Sequence, residues 1–410
     1  MYDIAISIYS FFMHLIAPFH KKVKLMVDGH AQTYKTLEKE IDPASKYVWF
    51  HVASLGEYEQ ALPMIETIKK EQPNYKILLT FFSPSGYEVQ KNNTLVDSVC
   101  YLPFDKKKNV KRFINLAQPD IAIFVKYEFW YNYIHELYQR EIPVYLISAI
   151  FRPNQLFFKP WGNVFKKMLH YYTALFVQDN ESKELLNQQG LDNVTVMGDT
   201  RMDRVIKIKE NALNLPIVNQ FVSSNNKQSV LVAGSSWPED ESFLINYFNK
   251  HAYLKLIIAP HLIDEDHLQE IESKLRRSNI RYSQIDTSAE VILNYDCLII
   301  DNFGLLSSIY RYGQIAYVGG GFGAGIHNLP EAAVYGIPVI FGPNYKKFLE
   351  AKELLKSGGG FTISNEAELN KTLKNFVTSP KELELAGQAA ANYIYKSAGA
   401  TQKIIDKIAF

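Results

Sequence analysis

Residues Tyr317 to Pro343 read YVGGGFGAGIHNLPEAAVYGIPVIFGP. The pattern predicts a strand, a glycine-rich loop, a short helix and a second strand closed by Gly342-Pro343. Gly319, Gly320, Gly321, Gly323 and Gly325 would let backbone amides approach a ligand without Cβ interference. Pro330 suits a first helical position, which puts Asn328 and Leu329 at a helix mouth, where free N–H groups and the dipole favour an anion. Glu331 follows at once, placed where a carboxylate can accept two ribose hydroxyls. The segment is expected to hold a nucleotide and its sugar, the alternative being a tight strand–helix turn without a ligand.

Working outward, the same alternation of strand and helix recurs through the chain. In the first half YVWFHVA (47–53), KILLTFF (76–82), SVCYLPF (98–104), DIAIFVK (120–126), PVYLISAI (143–150), ALFVQ (174–178) and VTVMG (194–198) are apolar strand candidates. A second series, SVLVAG, LKLIIAP, DCLIID, QIAYVGG and PVIFG, begins near residue 229. Continuous apolar strands separated by helices predict parallel sheets covered on both faces. At 410 residues the chain exceeds one typical core, so two doubly wound domains facing across a cleft are expected. The reading divides the chain into an N-terminal helix (1–24), a first domain (25–205), a polar linker (206–227), a second domain (228–381) and a helical tail packing back on the first domain (382–410). Ligands in such sheets bind at the carboxyl ends of strands, so the strand-to-helix loops are where chemistry is sought.

Composition narrows the function. A net charge of +1 gives no global argument for a nucleic-acid partner. Cys100 and Cys297, the two cysteines, both lie in apolar runs, which excludes a disulfide framework or a cysteine-based zinc site. The ten histidines show no metal-ligand spacing, and no metal is implied. Ile4 to Phe19 is strongly apolar and is followed by Lys21, Lys22 and Lys24. As a helix this run reaches only ~24 Å, short of the ~30 Å hydrocarbon core. Asp3, Ser7, Ser10 and His14 form a polar stripe opposite Ile6, Phe11, Phe12, Leu15 and Ile16. Such a helix suits a membrane interface, with the lysines meeting anionic headgroups; packing on its own domain is the alternative.

Among the loops, Ser54-Leu55-Gly56-Glu57 places Glu57 at a helix start, as a general base for an acceptor hydroxyl or as a complement to the helix dipole. Ser83-Pro84-Ser85-Gly86 reads as capping or anion binding. Glu128 ends another strand, and Arg201 lies at the domain junction, facing an anionic leaving group or forming an ordinary salt bridge. In the second half, Gly234 to Glu239, Pro260-His261 and Asp301 to Leu305 converge with the opening segment on one nucleotide crevice.

SLGE (54–57), SPSG (83–86), PFD (103–105), YEFW (127–130), GDTRMD (198–203), DNFG (301–304) and HNLPEAA (327–333), in order over nearly the whole chain, resemble the 3-deoxy-D-manno-octulosonic acid (Kdo) transferases. That resemblance implies the GT-B fold of two Rossmann-like domains. It also implies transfer of Kdo from CMP-Kdo to a lipid A precursor with inversion and without metal or other cofactor. The setting would be the cytoplasmic face of a Gram-negative inner membrane. By position it makes Glu57 the catalytic base, and Glu128 and Arg201 transition-state groups. Pro260, His261, Phe303, Gly304, Leu305 and Asn328, Leu329, Pro330 and Glu331 match its CMP-binding segments. Lysine is usual in the family where Arg201 stands, arginine where His261 stands, and glutamate where Leu305 stands. An arginine is permanently charged toward phosphate, whereas a histidine is not. A UDP-sugar transferase of the same fold and a non-catalytic nucleotide-sugar scaffold are the rival readings.

Overall fold

The computed structural model of the chain describes residues 2–223, 228–285, 290–323 and 325–410. Residues 224–227 of the expected linker and Ala324 of the glycine segment lie outside the described residues. Two compact units result: Met1–Arg204 with Ala398–Phe410, and Val205–Ser397.

In the first unit, β1 (Lys46–Val52), β2 (Tyr75–Phe81), β3 (Ser98–Tyr101), β4 (Ile121–Val125), β5 (Val144–Ala149), β6 (Ala174–Val177) and β7 (Val194–Val196) form one sheet in the order β3-β2-β1-β4-β5-β6-β7. Every pairing is parallel. The period of two along β1 explains its unbroken apolar run. Tyr47 and Trp49 enter one core with Phe113, Phe124 and Tyr133, while Val48, Phe50 and Val52 enter another with Leu79, Phe81 and Ile123. His51 falls in the row of Tyr47 and Trp49 and is fully buried. Truncating Trp49 to alanine would cost about 3–5 kcal/mol.

The second unit has β8 (Ser229–Ser236), β9 (Leu254–Pro260), β10 (Asn279–Arg281), β11 (Cys297–Ile299), β12 (Ile315–Val318), β13 (Val339–Phe341) and β14 (Gly360–Thr362). Their order is β10-β11-β9-β8-β12-β13-β14, again all parallel. Two parallel seven-stranded sheets thus carry helices on both faces, as the sequence pattern predicts.

The stretch read as a polar linker is largely helical. Arg201–Glu210 and Pro216–Val222 are helices, and Leu215, Val218 and Phe221 give the second a buried face that polar neighbours conceal in the sequence. The tail pattern is two helices. Pro380–Ser397 belongs to the second unit, where Gly387 lies so close to Gly336 that a Cβ would sit 2.2 Å from its carbonyl oxygen. Only Ala398–Phe410 counts with the first unit. There Asp203 accepts the N–H groups of Gly399 and Thr401 at 2.5 and 2.8 Å, and Ile404, Ile405 and Ile408 join the core.

The helix Tyr2–Ile16, continued by the turn Ala17–Phe19, lies on the first unit through a mixed face of Tyr2, Ile6, Ser10, Met13 and Ala17; of the expected polar stripe only Ser10 is buried, and Asp3, Ser7 and His14 stay exposed. Tyr2 bonds to Asp105, Asp3 to the Asn132 amide, and Ser10 is buried. Ile4, Ile8, Phe11, Phe12, Leu15 and Phe19 point outward. This inverts the arrangement of an ordinary surface helix. By length and composition Tyr2–Phe19 is also sufficient to cross a membrane, with mean hydropathy 1.3.

Candidate functional site

Two clusters of chemistry-bearing side chains stand at strand carboxyl ends, one in each unit. In the first, Glu57 lies in the opening turn of helix Leu55–Glu71, after β1. Its Oε2 accepts the Ser54 N–H at 3.0 Å and the Ser54 hydroxyl, so it completes a capping box. The dipole-complement reading of Glu57 is therefore realised, and Oε1 is left for other work. Glu128 follows β4, the neighbour of β1. Its Oε2 lies 2.9 Å from His51 Nε2 and accepts the Trp130 indole N–H at 2.8 Å.

Arg201 opens helix Arg201–Glu210. Its Nε and a terminal nitrogen donate to Asp199 Oδ2 at 2.9 and 2.7 Å. Burial alone would raise the Asp199 pKa, but the Arg201 charge and the hydrogen bonds from Arg201 and Gln60 outweigh it and hold the carboxyl below its ordinary value. Gln60 donates to Asp199 Oδ1 at 2.9 Å from the same helix as Glu57. Glu57 and Gln60 are three residues apart and share a face. Glu128 is thus tied to β1 through His51, and Arg201 to the Glu57 helix through Asp199. Both links were invisible in the sequence.

In the second unit, β9, β8 and β12 are adjacent, and their ends bring Trp237, His261 and His327 into one stack. Trp237 and His261 rings lie 4.7 Å apart, and His261 and His327 rings 4.4 Å apart. The Trp237 indole N–H donates to His327 Nε2 at 3.0 Å. Burial, together with the neighbouring His261, pushes the His327 pKa down to about 4. His261 is an exposed imidazole set against the rings of Trp237 and His327. Pro260 is buried at the end of β9, Phe303 is exposed beyond β11, Gly304 is left-handed at φ +88°, and Leu305 caps the helix Leu306–Ile309.

The glycine segment differs from its expected role. The N–H groups of Gly319, Gly323 and Gly325 bond to carbonyls of Gly234, Gly320 and Gly320 at 3.0, 3.0 and 3.2 Å. That of Gly320 bonds to Asp240 Oδ2 at 2.9 Å. These amides are committed within the protein, and the close approach that glycine permits is between loops: a Cβ on Gly321 would lie 2.6 Å from the Gly342 backbone. The helix that follows is Leu329–Ala333, so Pro330 is its second residue and its dipole is that of little more than one turn. Asn328 Nδ2 donates to Glu331 Oε1 at 2.7 Å, which orients the amide, and the buried Asn328 Oδ1 has no partner among the described residues.

Asp240, one residue beyond the loop Gly234 to Glu239 and missed in the sequence, is a further member of this cluster. It is buried and accepts from Trp237 N–H at 3.0 Å, Gly320 N–H at 2.9 Å and the Tyr317 hydroxyl at 2.6 Å. Trp237 and His327 stood in quoted motifs without an assigned role. His51 carried one signal, a polar side chain inside the apolar run KYVWFHV. Among the described residues no group of three or more His, Cys, Asp or Glu is placed to hold a metal ion.

Residues 28–204 match the family profile described as 3-deoxy-D-manno-octulosonic-acid transferase (kdotransferase). Over 346 residues the chain is 30% identical to the 3-deoxy-D-manno-octulosonic acid transferase of Aquifex aeolicus (strain VF5), covering 82% of this chain and 88% of the relative. The enzyme of that name from Haemophilus influenzae (strain ATCC 51907 / DSM 11121 / KW20 / Rd) is 25% identical over 377 residues, 89% of this chain and 87% of the relative. Among solved structures, UDP-GlcNAc 2-epimerase from Neisseria meningitidis bound to UDP-GlcNAc shares the fold with a TM-score of 0.61 at 15% identity, over 88% of this chain and 98% of that one. MurG from Acinetobacter baumannii does so with a TM-score of 0.56 at 12% identity, over 88% and 99%. The chain has the GT-B fold and belongs to the 3-deoxy-D-manno-octulosonic acid transferase family of glycosyltransferases.

Proposed function

We propose that the chain moves Kdo from CMP-Kdo onto a lipid A precursor, with inversion and without a metal, at the cytoplasmic face of an inner membrane. The observation that carries this reading is the placement of two carboxylates, Glu57 and Glu128, at the ends of neighbouring strands β1 and β4. The unit that holds them also turns the apolar face of helix Tyr2–Ile16 outward. Glu57 Oε1 takes the proton of the acceptor hydroxyl as its oxygen attacks the anomeric carbon, and CMP departs with the electron pair of the broken bond. Arg201 and Glu128 stabilise charge at the reacting centre.

On the donor side Glu331 takes ribose hydroxyls. The orphaned Asn328 Oδ1 is an acceptor, which supports a hydroxyl or amino partner there and not a phosphate oxygen. The phosphate is assigned to His261, a change from the expected place at the Asn328 helix mouth.

A transfer assay with CMP-Kdo and lipid A precursor, read by CMP release and product mass, tests the reading. Glu57→Ala should lower turnover by ~10²–10⁴ with CMP affinity unchanged. Near-normal transfer by that variant would overturn the assignment, and displacement of bound CMP by UDP at equal concentration would favour a UDP-sugar donor.

A further inference from the structure

Glu128 is held by a chain of buried polar groups that the apolar row of β1 has no structural need for. Thr80 Oγ1 accepts the Trp49 indole N–H at 2.8 Å and lies 2.9 Å from His51 Nδ1 and 3.3 Å from the Phe50 carbonyl oxygen. The Thr80 proton can go to His51 Nδ1 or to the Phe50 carbonyl. In the first case neutral His51 keeps its proton on Nε2; in the second Nδ1 donates to Thr80, and a ring that also donates from Nε2 is an imidazolium. Nε2 meets Glu128 Oε2, which already accepts from Trp130. A carboxylate has no proton to give, so the His51–Glu128 bond carries Nε2–H.

Two features set this pair apart from a structural ion pair. Burying a histidine and a carboxylate together contributes less stability than a well-packed apolar pair of like volume. The donors are also unevenly placed: both converge on Oε2, while among the described residues no group donates to Oε1, which is left to the surface through the 8% exposure that Glu128 retains. The backbone also departs from extended geometry at this point: Lys126, two residues before Glu128, is left-handed at φ +63°. A non-glycine residue is seldom found there, and such strain of about 1 kcal/mol or more collects at functional sites.

We propose that His51, its ring aimed by Thr80, is the positioning residue of Glu128, holding the carboxylate so that Oε1 alone is presented to the reacting sugar. This rests on the reading of Glu128 as a group at the reaction centre.

The experiment measures kcat, KM for CMP-Kdo and thermal unfolding for Glu128→Gln, His51→Leu, His51→Gln and Thr80→Val. Nitrogen-15 spectra of the histidine rings of the unaltered protein accompany it. His51→Leu should lower kcat by ~10²-fold with KM unchanged, and Thr80→Val by ~10-fold, because orientation of a reacting group is lost while donor binding is kept. His51→Gln, which restores an N–H toward Oε2, should recover part of the loss. His51 should show a protonated Nε2. A kcat near that of the unaltered protein for His51→Leu or Thr80→Val, with Glu128→Gln inactive, overturns the positioning role and leaves the wider reading standing. Full turnover by Glu128→Gln overturns the reading beneath it. If His51→Leu does not fold, Thr80→Val and the ring spectra decide, and a bare Nε2 is the adverse result.

Discussion

The Tyr2 hydroxyl donates to Asp105 Oδ2 at 2.6 Å, and the same carboxylate accepts the N–H groups of Asn132 and Tyr133 at 3.0 Å each. One buried acid therefore fastens the outward-facing apolar helix to the start of helix Tyr131–Gln139, which directly follows Glu128 and Trp130. Tyr2→Phe removes this bond and the one by which the Tyr2 hydroxyl accepts the Tyr131 N–H at 3.3 Å, while the Asn132 and Tyr133 N–H groups keep Asp105. It should cost about 1–2 kcal/mol and speed amide exchange along Tyr2–Ile16, measured by thermal unfolding and exchange mass spectrometry. Asp105→Ala strands two backbone N–H groups and should cost more.

Acid sensitivity follows from two groups of opposite sign in the first unit. His30 is buried against Phe104 and Tyr101, neither ring nitrogen has a partner among the described residues, and burial, with His14 adding to it, pushes its pKa from 6.5 down to about 3. Burial pushes Asp105 from 3.8 up to about 6 against the hydrogen bonds that lower it. From pH ~6.5 down toward 3 the unfolded chain binds the proton that folded His30 refuses, so stability falls as pH falls. Between 3.8 and about 6 folded Asp105 keeps a proton that the unfolded chain has released, so its contribution falls as pH rises. The slopes oppose between pH ~4 and 6. His30→Phe removes the first, and going from pH 6 to 4 it should gain on the order of 2–3 kcal/mol over the unaltered protein in chemical unfolding.

Asp240 holds the glycine segment through three donors. Asp240→Ala leaves all three buried and unpartnered, at about 1–3 kcal/mol each, and should weaken CMP binding by ~10-fold or more in calorimetric titration. Tyr317→Phe, which removes one donor together with its need, should change CMP affinity by less than about 3-fold.

The outward face of the first helix makes a vesicle prediction. Phe11, Phe12 and Leu15 are each at least half exposed. Replacing all three with serine should lower partition onto anionic vesicles by on the order of 10²-fold, while folding is retained because these three side chains point away from the protein. Replacing Lys21, Lys22 and Lys24 should instead reduce the salt dependence of binding. Unchanged flotation with vesicles after the triple substitution would remove this helix from the membrane reading.

Much of the architecture was legible because the two faces of each sheet are both covered, so β1, β4, β9 and β12 appear as unbroken apolar runs. The strand-end loops followed from that alternation, and with them Glu57, Glu128, His261 and Glu331. The linker and tail were less legible. Pro216–Val222 buries only Val218 and Phe221, with Leu215 just before it, and the break between Ser397 and Ala400 is set by Gly399 at φ +88°.

What the sequence determined by itself was local: periods of two and 3.6, the punctuation by glycine and proline, and motif order along the chain. What the tertiary structure decided was how those pieces were used. His51 meets Glu128 across 77 residues, Asp240 meets Gly320 across 80, and Tyr2 meets Asp105 across 103. The glycines proved to serve contact between loops, and of the polar stripe of the first helix only Ser10 proved to be buried against the protein. A hydrogen bond acts over about 3 Å, so its partner is fixed only when distant segments are brought together by the sheet.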